Sequence, residues 1–402
     1  MATVATELTG EPQARPKRVS PPRTRSFSVL AILPALLLVY SIFIPVEVAV
    51  YLGPMRVGAY RAILLLLVPL VVYAVVRRGF RPHPLDGLML LVSLWLPVSF
   101  WMNYDFSVGL EAGLSQTIDI FVAYLVGRLF IRDLGEFKQF LRLLLPGLVL
   151  VAILLMAESF SGRLFVREAA GAIFGGGNEV GGELNYEKRL GLLRAYGPFT
   201  HPIHAGMFLA SFLPLYFYFF TETGKKWTGV VTSLFCLFAL SSAGMIGLVL
   251  NAGMMLYDRA LKLVREINWA ISLGLFSALL FMLQIFSENG VVPIIYRYLT
   301  LNPRTGYYRT KIWEYASDDV WQNPWFGIGY EEYTRPEWFW GTGSIDAHYL
   351  AMAVKYGFFP AFLYLIVAIA IVVMLARQVP GTLRHEHAGH CWGWLFRWPR
   401  SS

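Results

Sequence analysis

The chain has 402 residues, 56% of them hydrophobic and 15% charged, with a mean hydropathy of +0.53. It is too apolar for an ordinary soluble domain, and its apolar residues fall in runs near the ~20 residues that span a bilayer. The formal net charge of +8 needs no nucleic-acid partner, because the basic residues collect in alternate loops, the positive-inside pattern of a polytopic membrane protein.

Residues 1–26 are rich in Pro, Arg, Ser and Thr and are followed by no small-residue cleavage site. They read as a disordered basic cytoplasmic tail, not a signal peptide. A polytopic, all-α membrane domain is expected over 27–376, with about ten transmembrane helices. Their expected bounds are roughly 27–46, 60–76, 85–103, 111–131, 138–158, 203–220, 228–242, 244–257, 268–286 and 347–376. Arg15, Lys17, Arg18, Arg23 and Arg25 precede the first span, and Arg77, Arg78 and Arg81 follow the second. Lys225 and Lys226 follow the sixth; Arg259, Lys262 and Arg265 follow the eighth. The short seventh and eighth runs, joined by Ser241-Ser242-Ala243-Gly244, read as two spans, since both basic clusters then lie on one side. The tenth run is too long for one vertical crossing, and Gly357 and Pro360 are expected to break it into an interfacial start and a true span. Residues 377–402 read as a second cytoplasmic tail.

With both termini inside, two long loops face outward, at about 159–202 and 287–346. The first has a glycine-rich centre from Gly175 to Gly182. Cys236 and Cys391 supply neither a disulfide framework nor metal-ligand spacing. No strand–glycine loop–helix unit of nucleotide-binding type is present, which argues against a nucleotide-sugar substrate.

The polar stretch Arg304–His348 is the natural place for aqueous chemistry in such a chain. A helix over Gly306–Trp321 would set Arg309 on one stripe with Ile312, Trp313, Ala316 and Val320, opposite Lys311, Glu314 and Asp318. An arginine in an apolar stripe needs a partner. That partner is either an internal carboxylate such as Asp346 or Glu183, or a phosphate or diphosphate, which suits the planar guanidinium fork. Arg194 precedes the sixth span, where Pro202 fits a first helical turn and Thr200 or His201 a cap. A helix N-terminus there favours an anion, whereas an interfacial arginine more commonly snorkels.

His348 follows Asp346 at a helix start, as a base near neutral pH or as a structural histidine. His201 and His204, three apart, lack a third metal ligand, and Asp318-Asp319 point in different directions on a helix. Trp325, Tyr330, Tyr333, Trp338, Phe339 and Trp340 form either an interfacial belt or stacking faces for sugars. Glu111, Gln116 and Asp119 are intramembrane polar groups expected to line the bundle interior.

Three segments together resemble the bacterial O-antigen ligase and polymerase family, including exopolysaccharide polymerases. They are Arg194-Ala-Tyr-Gly-Pro-Phe-Thr-His-Pro; the turn Ser241-Ser-Ala-Gly244; and Arg309-Thr-Lys-Ile-Trp313 with Asn323-Pro-Trp-Phe-Gly-Ile-Gly329 and His348 before a final span. The resemblance covers about Arg194–Gly357, and the Ser241–Gly244 turn departs from it by lacking an arginine. It implies a glycosyltransferase C-like helical fold and transfer of a glycan from a polyprenyl diphosphate to an acceptor at the external face of the inner membrane. By the same resemblance Arg194 and Arg309, with Arg304 second, hold the diphosphate, and His348 assists the acceptor hydroxyl. Trp313, Tyr330 and Trp338 are candidate sugar contacts. No cofactor is implied, and no metal is required where arginines neutralise the diphosphate. Implied partners are the lipid-linked oligosaccharide, the bilayer, and polysaccharide assembly and chain-length proteins. The polymerase is the expected activity. The alternatives are an O-antigen ligase acting on lipid A core, a flippase of lipid-linked glycans, or a non-catalytic scaffold. A flippase should gather its ionisable groups at the bilayer midplane.

Overall fold

The computed structural model describes residues 29–52, 55–77, 80–175, 184, 186–263, 269–287, 303–339 and 343–378. Helix α1 (Val29–Ser41) leads through an antiparallel hairpin, β1 (Ala49–Leu52) and β2 (Met55–Gly58), into α2 (Ala59–Arg77). Helix α3 (Pro84–Asn103) is started by a capping box: His83 accepts from the Leu85 amide, and Asp86 reaches back to the His83 amide. Helices α4 (Phe106–Thr117) and α5 (Ala123–Phe130) are joined by a π-helical turn, Ile118–Val122. The 28-residue α6 (Leu134–Ser161) is capped by Asp133 and stopped by the left-handed Gly162. Then come α7 (Phe165–Phe174), the small pair β3 (Lys188–Arg189) and β4 (Leu192–Leu193), and α8 (Pro202–Phe219). Helix α9 (Thr223–Leu234) ends in a 3-10 turn, Phe235–Ala239. The remaining helices are α10 (Ser242–Leu263), α11 (Trp269–Phe286), α12 (Pro303–Gln322), α13 (His348–Tyr356) and α14 (Phe358–Gln378).

The chain is therefore a helical, multi-pass membrane protein. Four helices, α2, α3, α6 and α8, are long and apolar enough to cross a bilayer, and Val29–Ser41, Gly274–Phe286 and Phe358–Met374 are shorter apolar helices. The expected count of ten is not reached by the described helices. Both expected external loops carry regular structure: α7 and the β3–β4 pair in the first, α12 in the second.

Small residues let the helices approach closely, as is usual where packing replaces the hydrophobic effect. Gly109 and Gly113 of α4 lie against Phe100, Trp101 and Pro97 of α3, with no room for a Cβ. Gly206 of α8 meets Gly244 of α10, while Asn251 reaches the Ala210 carbonyl and Tyr218 reaches Asp258. Helices α8 and α10 thus run parallel. Between them α9 returns along α8, with Gly229 against the Tyr216 ring. The seventh and eighth runs are accordingly two elements, reversed at Leu240, whose φ is 44°. At the far end Lys226 and Arg259 both stack on Phe217, at 4.0 and 4.9 Å, so the two basic clusters do share one end of the bundle.

The main core joins α1, α2, α5, α6 and α8 around Leu64, Val126, Leu144, Leu148, Leu209 and Tyr216. A second core ties Val92, Leu96 and Phe100 of α3 to Met352, Ala353 and Tyr356 of α13. The tenth run does break at Gly357, with φ 90°. Its first piece, nine residues long, rises only about 14 Å and cannot cross a membrane.

Candidate functional site

The site lies at the end of the bundle opposite Lys226 and Arg259, where α6 finishes and α8 and α10 begin. The turn between β3 and β4 has two left-handed residues, Leu190 (φ 54°) and Gly191 (φ 82°), which suit a tight hairpin. This folding-back sets Arg189 and Arg194 on the same carboxylate. Arg189 Nε donates to Glu187 Oε1 at 2.8 Å, and Arg194 Nη1 donates to Glu187 Oε2. Two guanidinium groups share one carboxylate, which leaves one positive charge uncompensated within the group.

Arg194 is only 8% exposed, and its Nε has no hydrogen-bond partner. Arg189 Nη1 also donates to the Leu240 carbonyl at 3.3 Å, beside Ser241, whose buried Oγ likewise has no partner. The turn that lacks an arginine in sequence is therefore served by one from the β3–β4 pair. Unsatisfied buried donors next to surplus positive charge, at the N-termini of α8 and α10, are the chemistry that suits an anion.

A layer beneath fixes the loop that carries Arg194. Glu158, fully buried near the end of α6, accepts from the amides of Val166, Tyr196 and Gly197 at 3.2, 3.0 and 2.7 Å. The buried pair Arg167–Glu47, at 2.6 Å, ties α7 to the chain before β1, and Arg167 Nη1 reaches the Thr200 carbonyl at 3.4 Å. His201 then caps α8 by accepting from the Ile203 amide, with Pro202 at the first helical position.

The second part comes from α12 and α13. Ile312 and Ala316 are buried, Lys311 pairs with Glu314 on the outer face, and the Arg309 side chain is 12% exposed, as the helical stripe predicts. Arg309 pairs with Asp346 at 3.2 Å, one of the two carboxylates expected of it. The other, Glu183, lies outside the described residues. Asp319 and Asp318 do diverge: Asp319 is buried and accepts from the Thr334 amide at 2.6 Å, whereas Asp318 is exposed.

The Asn323–Gly329 motif has a backbone explanation. The amides of Ile328 and Gly329 donate to Val354 and Lys355 carbonyls, and the Phe358 amide donates to Pro324, at 2.7–3.0 Å. A Cβ on Gly327 would overlap the Val354 carbonyl, and one on Gly357 the Trp325 carbonyl. The motif is thus a backbone clasp that holds α13, and with it His348.

Electrostatics join the two parts, since His201 feels Arg194, His204, Asp346 and Glu187. Burial opposes ionisation of Glu187, but hydrogen bonds from Arg189 and Arg194 outweigh it and hold the carboxyl below its usual range. Burial, then Arg189, lowers the Arg194 value. Burial, then Arg194, pushes His201 down to about 4. His201 is therefore neutral at pH 7. Because its folded pKa lies below the ordinary 6.5, its contribution to stability is complete above that value and is lost as pH falls towards 4. The thermal midpoint of the detergent-solubilised protein is expected to fall between pH 6.5 and 4.5. His201→Asn, which keeps a capping side chain but does not titrate, should flatten that acid limb.

Arg194, His201, Arg309 and Asp346 are brought together, whereas His348 is connected through the chain next to Asp346. Asp346 is committed to Arg309. The His348 ring packs on Tyr349 and Tyr364 at 5.9 and 5.6 Å, and partial burial lowers its pKa. Arg304 is in the first turn of α12, with its side chain outside the described set, as is Trp340. Tyr330 and Trp338 are exposed, while Trp313 is half-buried in the α12–α13 core. Glu111, expected inside the bundle, is exposed midway along α4. His201 and His204 use Nδ1 for the Ile203 amide and Thr200 Oγ1. Sequence reasoning missed Arg189, Glu187 and Glu158. The charge triplet Glu187-Lys188-Arg189 before Leu190-Gly191 was the available signal for the first two.

Residues 227–366 match the family model described as O-Antigen ligase, a stretch that holds Ser241–Gly244, Arg309, the Asn323–Gly329 clasp and His348. No curated protein and no solved structure matches the chain.

Proposed function

Taking residues 227–366 as an O-antigen ligase domain in a multi-pass membrane protein, we propose a metal-independent glycosyltransferase that polymerises polyprenyl-diphosphate-linked oligosaccharide repeat units. It works at the external face of the inner membrane with both termini in the cytoplasm, for exopolysaccharide or O-antigen. The observation that carries the reading is the pair Arg189 and Arg194 on the single carboxylate of Glu187, beside orphaned donors and two helix N-termini.

The acceptor hydroxyl oxygen attacks the anomeric carbon of the donor sugar. The bond from that carbon to the diphosphate oxygen breaks, and polyprenyl diphosphate leaves with the bonding electrons. Charge gathers on the leaving group, so fixed guanidinium groups lower the barrier electrostatically. Arg194 with Arg189, and Arg309 with Arg304 across the site, serve that purpose. His348, neutral at pH 7 because its pKa is lowered, accepts the acceptor's proton. The exposed rings of Tyr330 and Trp338 offer faces for sugars, and Trp313, half-buried in the α12–α13 core, offers a third.

A ligase would use the same donor half and differ only in its acceptor, lipid A core, and the family description fits it equally well. The test follows conversion of lipid-linked repeat units in membranes holding wild type, Arg309→Ala or His348→Ala at equal abundance. The expected result is polymer and free polyprenyl diphosphate from wild type, with single units accumulating in both variants. Equal behaviour of all three would leave a flippase or scaffold as the better account. Transfer to lipid A core without polymer would select the ligase.

A further inference from the structure

A second polar cluster, made of residues outside the Arg194 group, lies at the start of α2. Arg61 makes a two-point pair with Asp119, Nε to Oδ1 at 3.2 Å and Nη2 to Oδ2 at 2.5 Å. Asp119 belongs to the π-helical turn Ile118–Val122, where the rod formed by α4 and α5 leaves α-helical geometry. Such a turn inserts an extra residue and re-aims the side chains around it. The Tyr60 hydroxyl donates to the Asp119 carbonyl at 3.3 Å, which braces the turn. One turn earlier, Gln116 Nε2 donates to the Tyr330 hydroxyl at 3.3 Å. The Tyr330 amide donates to the Tyr104 hydroxyl at 2.7 Å, so its ring stands at a fixed place in the cluster.

The exposures decide what this cluster faces. The Arg61 and Asp119 side chains are 30% and 20% exposed, and Tyr330 is 52% exposed. A charged pair open to acyl chains is costly in a membrane protein, so its open side faces water. An ion pair present only to tie α2 to the π turn would be better closed over, as Arg167–Glu47 is at 1% and 2%. What remains on the open side is a carboxylate with spare lone pairs, guanidinium and amide N–H groups, and an aromatic face. Vicinal hydroxyls pair with such a carboxylate and guanidinium, and the apolar face of a pyranose stacks on the ring.

We propose that Arg61, Asp119, Gln116 and Tyr330 form a subsite for a sugar ring of the lipid-linked glycan. Arg61, Gln116 and Asp119, which precede residues 227–366, then help to select the repeat unit together with Tyr330 from inside that stretch. This rests on the polymerase reading. The probe is the polyprenyl-diphosphate-linked repeat unit accumulated by cells lacking the protein, titrated over membranes containing each variant. Gln116→Leu and Asp119→Asn are expected to raise KM by about tenfold with kcat little changed, because a hydrogen bond to the bound sugar is lost. The charge exchange Arg61→Asp with Asp119→Arg keeps the ion pair and the helix contact but reverses the groups offered to the sugar. It should keep the high KM. Wild-type KM in the exchange variant, or a fall in kcat alone for Gln116→Leu, would overturn the subsite and leave a purely structural pair. Wild-type membranes that convert no repeat unit would sink the polymerase reading itself, and the subsite with it.

Discussion

Arg194→Ala is expected to reduce turnover of lipid-linked repeat units by about two to three orders of magnitude, the usual loss when one fixed donor to a developing anion is removed. The charge balance explains why a single residue has this weight. Among the described residues Arg189 and Arg194 form ion pairs with Glu187 alone, so either substitution turns a group of net charge +1 into a neutral pair. Glu187 keeps one guanidinium partner in each variant, and the fold should survive. Arg189→Ala is therefore expected to lose activity as well, in a residue outside the motif that points to Arg194. Arg194→Lys keeps the charge but loses the planar fork and should recover only part of the rate. Rates measured in membranes at equal protein abundance check this. Wild-type turnover in Arg194→Ala, with the variant folded, would remove the anion site from the mechanism.

The largest effect on stability is expected at Gly357. Its φ of 90° and ψ of 168° fall in a region open essentially to glycine alone. A Cβ there would also run into the Trp325 carbonyl, which already accepts from Trp95 Nε1 at 3.2 Å. Backbone strain and overpacking together should cost about 3 kcal/mol or more in Gly357→Ala. The consequence is a loss of folded protein in detergent or a sharply lowered thermal midpoint. Gly327→Ala, across the same clasp with φ 63°, should behave alike. Gly274→Ala, where nothing lies within 4 Å of a Cβ, is the control and should be neutral or slightly stabilising. A well-folded Gly357→Ala protein would mean that the clasp yields, and that α13 is not held as described.

Several features were legible in the linear chain because they depend on local pattern. Composition and apolar runs sufficed for a helical membrane protein. The i, i+3, i+4, i+7 spacing about Arg309 separated the buried Ile312 and Ala316 from the exposed Glu314, and the structure keeps that division. Pro202 after His201 marked the start of α8, and Gly357 marked the break between α13 and α14. The number of crossings was less legible. Helix α9 shows why: its α-helical part runs twelve residues before a 3-10 turn, and hydropathy does not report that change.

Partnerships between distant residues were decided only by the tertiary structure. A sequence shows that Arg194 needs a counter-ion, but not that Glu187 serves it together with Arg189, because the β3–β4 turn sets that geometry. It shows glycines in Asn323–Gly329, but not that Val354–Gly357 lies against them. The pairing of Arg61 with Asp119, 58 positions apart, and of Arg309 with Asp346, 37 apart, likewise depends on how helices cross. The sequence alone determined which segments are helical and apolar, since those properties follow from neighbouring side chains and the bilayer. The tertiary structure alone decided which charges are shared, left over or opened to water, because electrostatic balance depends on distances that only the packed helices set.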